Sequence, residues 1–409
     1  MADNLKARIG SKAGAVRKKA GKAVRASGIM RFLPGSDELK LIVKGVAAVA
    51  ALLSLLLLVI TGADLRPSAL LHGFRDKRAY THASGEGFPV DIPGGRIFTV
   101  STLSRGTAML TRTKCMVLDG RGRRVMSENH SLASPAMESD GRYILLYDSL
   151  GQDYTVRTVS EEIYKGETDA SIICADISRS GRYAFVTKSE TNNAKLMVCS
   201  PDGKVLHKWK SVNYKISDVS LSPSGKYVAL CGLSANDGVL ESTVILQKVG
   251  GKENLKEFKF QNTLIADIAF DGDSRIVAVG DDLAAYISLH DDKNNKIYGY
   301  DGRSLNSYDI SSEGELAMVF SDHSDGRNAS VVVIDHDGRE RAHIDTDLTS
   351  PYVDLEDGRI NLLCNSEVVS YNFKGKLLGK AEVQADCQSV LTSQGRLLAR
   401  GVMYLSEIE

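Results

Sequence analysis

The chain has 409 residues, with 51 Lys and Arg balanced by 51 Asp and Glu. The zero sum hides an asymmetry, because residues 1–63 carry eleven Lys/Arg against three acids (+8), leaving forty against forty-eight (−8) in residues 64–409. The only sharp change of composition falls near residue 63, so the length holds one large anchored domain, and no nucleic-acid partner is expected.

Residues 1–39 form a basic arm. Leu5, Ile9, Val16, Ala20 and Val24 fall at spacings of three, four or seven, which places Lys12, Lys18, Lys19, Lys22 and Arg25 largely on the other side of a helix. This is the pattern of a helix lying on anionic lipid. Gly10, Gly14, Gly21 and Gly28 weaken it, and a solvated tail that only sets orientation is the alternative. Pro34 and Gly35 break the chain before Ser36-Asp37-Glu38, an N-cap signal.

Residues 40–63 contain the longest apolar run. Gly45 to Ala63 holds nineteen residues without a charge; at about 1.5 Å per residue this gives roughly 28 Å, close to the ~30 Å hydrocarbon core of a bilayer. A single transmembrane helix is expected. The basic arm then stays in the cytoplasm, and everything after residue 63 lies outside. Thr61-Gly62-Ala63 would also suit a signal peptidase, but a cleaved signal has a shorter apolar run and a shorter basic lead.

Residues 64–87 show no clear period, contain Pro67, Gly73, Gly85 and Gly87, and read as a stalk or linker. From residue 88 to 409 short β-type runs alternate with Gly, Asp, Asn and Ser. A strand, a turn and a second apolar strand recur with turn positions at Gly106, Gly141, Gly181, Gly225, Ser274, Gly314, Gly358 and Gly395. Spacings of 35 to 49 residues are those of four-stranded propeller blades. In the third unit the strands are expected at 172–178, 182–188, 194–200 and 204–210. Asp119-Gly120, Pro201-Asp202-Gly203, Asp337-Gly338 and Lys374-Gly375 mark hairpins between third and fourth strands. The last unit supplies three strands only, so Phe88 to Ile92 is expected to pair with 402–408 as its fourth and close the ring. The fold class is an all-β propeller of eight blades, or seven if the terminal segments share one.

The Ser222-Pro-Ser-Gly-Lys-Tyr227 turn and the related SDGRY and SRSGRY turns resemble WD40-like and periplasmic-propeller repeats. With the basic arm, single span, stalk and exported propeller, the chain resembles domain-of-unknown-function family 5711, bacterial membrane-anchored propellers. That resemblance implies fold and location and carries no activity.

Six cysteines, all after the span, lie in alternating apolar runs without a CxxC pair, the setting of buried thiols rather than of a disulfide framework or zinc site. There is no GxSxG, no HExxH and no Asp box, and one tryptophan is too few for a quinoprotein propeller. No cofactor is expected. One pattern is less bland: Asp176, Asp218, Asp267, Asp309 and Asp354 lie in successive first strands, the innermost of each blade, and the first four share a face by their odd distance from the turn. Two readings follow. The acids accept backbone hydrogen bonds between blades, or they form a ring that attracts a cation or a basic partner.

The expected function is a non-enzymatic envelope scaffold that binds a protein or cell-wall polymer outside the cell membrane. The alternatives are a glycan hydrolase or lyase using the inner-strand acids, and a sensor that signals through the arm.

Overall fold

Glycine-punctuated runs of alternating burial can satisfy their backbone only by pairing with neighbouring runs, and here they pair as antiparallel meanders. The structure, a computed structural model, describes residues 67–92, 95–236, 238–321, 329–349 and 351–408. The expected span and the basic-arm residues Lys12, Lys18, Lys19, Lys22 and Arg25 lie outside the described residues. Among the described residues no helix is long and apolar enough to cross a membrane.

Eight four-stranded sheets form the blades of a propeller. Their innermost strands are Ile97–Leu103, Pro135–Asp140, Ile172–Ile177, Lys215–Leu221, Ile265–Asp271, Ser304–Ile310, Tyr352–Glu356 and Ser389–Ser393, in blades one to eight. In blade three the strands are Ile172–Ile177, Tyr183–Thr187, Ala194–Cys199 and Val205–Ser211, within a residue of the sequence reading. Blade eight takes its outer strand from the start of the domain. Val90 pairs with Leu405 and Asp91 with Tyr404, which closes an eight-bladed ring and rules out seven.

Each blade packs its face on the next through its own apolar cluster, so that eight clusters serve eight interfaces. The closing interface joins Leu398 and Leu405 of blade eight to Ile97, Met109 and Leu118 of blade one, with Phe88, Val90 and Ile92 packed alongside. That between blades seven and eight is the smallest, with Leu363, Val368 and Val390 as its buried members. All six cysteines are free; four are buried, Cys174 and Cys387 partly so.

Turn chemistry differs from the sequence reading in three places. In blade one the turn is Ser104-Arg105, and Gly106 already belongs to the second strand. It is glycine because a Cβ there would collide with the carbonyl oxygen of Leu118. In blade five the left-handed residue is Gly272 rather than Ser274, and in the outer hairpin of blade one it is Gly122 rather than Gly120.

The segment 64–87, read as an irregular stalk, contains an α-helix, α1, over Pro67–Thr81. Proline opens it, where a missing N–H costs nothing, and Arg78 in the last turn complements the helix dipole. Its described side chains dock through partners distant in sequence, which no local pattern announces. The Asp76 carboxylate accepts from Ser160 Oγ at 2.6 Å, Arg75 meets Glu161, and Ala79 and Tyr80 pack beside the cluster between blades one and two. Ser84 then exchanges backbone hydrogen bonds with Arg124 in the outer strand of blade one.

Replacing Phe88–Ile92 with a Gly-Ser linker removes both the closing strand and its apolar contacts. We expect a lower melting temperature, loss of a single cooperative transition and aggregation through the freed edge. A variant that melts like the parent would contradict closure by this strand.

Candidate functional site

The innermost strand of each blade lies at the end of its sheet. One of its edges is paired, and the other faces the centre of the ring, where its amides need acceptors. The inner-strand aspartates supply them. Asp176 accepts from its neighbour Ile177 N at 2.7 Å and from Leu221 N of blade four at 2.6 Å. Asp218 accepts from Val219 N at 2.8 Å and from Ile268 N of blade five at 2.9 Å. Asp309 accepts from Leu355 N of blade seven at 2.7 Å. Asp354 accepts from Thr392 N and Oγ1 of blade eight at 2.8 and 2.7 Å, and from Asn361 Nδ2 at 2.9 Å. Asp267 accepts from the Tyr308 hydroxyl of blade six at 2.9 Å.

All five carboxylates thus reach the following blade, Asp354 included. Its even distance from Gly358 reflects a shorter turn, not another face. Blade seven uses the two-residue hairpin Asp357-Gly358, both left-handed, whereas blades three and six use longer loops. The acids stand at two depths. Ser220, five residues before Gly225 as Asp176 is before Gly181, accepts from Phe270 N at 3.3 Å; Asp218 lies two residues deeper on the same strand. Where an aspartate is lacking other polar groups take over, as between Ser101 and Ser139 at 2.6 Å and between Thr107 and Ser393 at 2.9 Å.

Sequence reasoning missed Glu138 and Asp140 on the inner strand of blade two. The signal was present in Met137-Glu-Ser-Asp-Gly141, but the acids stand at unfamiliar distances from a two-residue turn. Asp140 meets Arg179 of blade three at 3.3 Å.

Burial in this inner wall is costly for charge. It pushes Asp176 up to about 7, against the opposing pull of its amide donors. Asp218 rises to about 7 through burial and then the facing Asp267, and Asp309 to about 7 through burial with Asp354 nearby. Glu138 rises to about 8, again by burial first and then by the charges of Asp176, Asp218 and Asp267. Among the described residues no three His, Cys, Asp or Glu side chains are placed to hold a metal ion.

A family model described as a family of unknown function, DUF5711, matches residues 96–404. No curated protein matches the sequence. Among solved structures the chain is similar to BamB from Moraxella catarrhalis, with TM-score 0.51 and 13% identity over 80% of this chain and 96% of that one. It is also similar to a eukaryotic initiation factor, with TM-score 0.53 and 11% identity over 81% of this chain and 92% of that one. At these identities the likeness concerns the propeller fold.

Two outcomes follow. Asp309→Ala leaves the amide of buried Leu355 without its acceptor and should cost about 1 to 3 kcal/mol, whereas Asp309→Asn keeps an acceptor and should stay near wild type; equal melting of the three proteins would contradict the role. The raised carboxylates also fix a sign. Their folded pKa values exceed the unfolded ones, so the folded state holds protons that the unfolded state releases. Their stabilising effect is complete below about pH 4 and is lost as pH rises through about 7 to 8. The melting temperature at constant ionic strength should fall from pH 5 to pH 8, and less so in Glu138→Gln. A rise over that range would contradict the assignment.

Proposed function

The chain belongs to the family of unknown function DUF5711, and on that premise we propose that it is a non-enzymatic cell-envelope scaffold. A single membrane span holds it, and its propeller presents a binding surface for a protein or cell-wall polymer outside the membrane. The carrying observation is the use made of the inner-strand acids. A glycosidase needs two carboxyl groups facing a sugar across a cleft about 5 to 10 Å wide. Here Asp176, Asp218, Asp309 and Asp354 are occupied by amides of the next blade, and Asp267 by a tyrosine hydroxyl. Their hydrogen bonds are directed to joining blades. The nineteen-residue apolar run and the +8/−8 division of charge support the anchor and its orientation.

Protease added to intact protoplasts should remove the chain beyond about residue 64 and leave the basic arm protected. Crosslinking in the same cells should retain an envelope protein or wall polymer on wild type and on Asp309→Asn alike. Digestion of the arm, or a glycan-cleaving activity that disappears in Asp309→Asn, would overturn the reading.

A further inference from the structure

In a four-stranded antiparallel meander the first and third hairpins share one end of the sheet, while the second hairpin and the crossover to the next blade share the other. The ring therefore has a turn face and a crossover face. Helix α1 lies on the turn face. Its Arg75 and Asp76 meet Glu161 and Ser160 in the outer turn of blade two, and Tyr80 stands beside Gly106 at the inner turn of blade one. From Pro67 the described chain thus runs along the turn face before it enters the ring, and in the sequence the apolar run Gly45 to Ala63 comes just before it.

Charge on that face is divided by sector. Around α1 the exposed side chains include Arg75, Lys77 and Arg78 of the helix itself, and Arg105, Arg121 and Arg179 at turns of blades one to three. Lys204 and Lys226 continue the sector at turns of blades three and four. Of the acids in this sector, Asp76 is buried on the inner side of α1, Glu161 and Asp140 pair with Arg75 and Arg179, and Glu162 and Asp202 stand exposed. On blades five and six the turns instead expose Asp291, Asp292, Glu313 and Asp337 against Lys293 and Arg339, with Asp292 paired to Lys256 and Asp337 to Arg339. The basic sector coincides with the sector that carries α1.

We propose that the turn face of blades one to three, together with α1, rests on the anionic headgroups of the bilayer, while the acidic turns of blades five and six are tilted away from it. This assignment rests on the membrane-anchor reading. Attraction of this kind acts within about a Debye length, ~10 Å at 0.1 M salt, and each cation at an anionic leaflet strengthens adhesion roughly fivefold. The crossover face is then left free for a partner.

The test uses the full chain in bilayers of phosphatidylcholine alone and of phosphatidylcholine with phosphatidylglycerol, followed by amide hydrogen exchange and an alkaline wash. Exchange at the turns around Arg105, Arg121 and Arg179 should slow with phosphatidylglycerol and recover in high salt, while the turns around Asp291 and Glu313 stay unchanged. The triple variant Arg105→Glu, Arg121→Glu, Arg179→Glu should lose this protection with unchanged exchange in the blade cores, and should adhere to anionic vesicles at least about a hundredfold more weakly. A washed chain that stays in the bilayer but exchanges identically in both lipids overturns the proposal and leaves the anchor standing. Release by the wash with protection on anionic vesicles retains the basic face and removes the anchor. Release without protection removes both. Protection by soluble polyphosphate but not by phosphatidylglycerol bilayers overturns the lipid assignment.

Discussion

An inner strand of a propeller blade has one edge in a sheet and one edge with no strand to pair with, and the fold depends on how that second edge is satisfied. In this chain the acceptor comes from the preceding blade. Amides of Leu221, Ile268, Leu355 and Thr392 each end on a carboxylate that belongs to the blade before. An ionised or protonated carboxyl can accept two amides at once, as Asp176 and Asp218 do from their own strand and from the next. The same bond that satisfies the backbone therefore also ties one blade to the next.

Packing and electrostatics act on this ring in opposite senses. The apolar clusters between blades exclude water and hold the sheets face to face, each buried aliphatic side chain contributing about 1.5 to 3 kcal/mol. The same exclusion raises the cost of charge on Glu138, Asp176, Asp218 and Asp309. Blades seven and eight meet through the smallest cluster, and there Asp354 makes the fullest set of hydrogen bonds, including Thr392 Oγ1 and Asn361. A dense polar junction accompanies the thinnest apolar one.

Much of this architecture was legible in the sequence because it rests on local rules. Glycine at a left-handed turn, alternation along a strand and a 35 to 49 residue period need no tertiary information, and a blade lacking its fourth strand demands one from elsewhere. What was hidden depends on partners distant in sequence. Gly106 looked like a turn residue and is a close approach to Leu118 O. Helix α1 was hidden because its described side chains dock through Asp76, Arg75 and Tyr80, whose partners lie far away in sequence. Glu138 escaped notice because the two-residue hairpin of blade two changes the distance from acid to turn. The pattern of inner-strand aspartates was visible, but only the distances to the following blade tell acceptors from a ring of free charges.

The central claim is that the carboxylates of one blade hold the inner-strand amides of the next. It is tested most directly by native-state hydrogen exchange of the Leu221, Ile268, Leu355 and Thr392 amides at increasing denaturant. Groups bonded across blade interfaces should exchange only with global opening of the ring, at a common free energy equal to that of the blade cores. Exchange of these four amides at the rate of the exposed turns, with the cores still protected, would contradict the account.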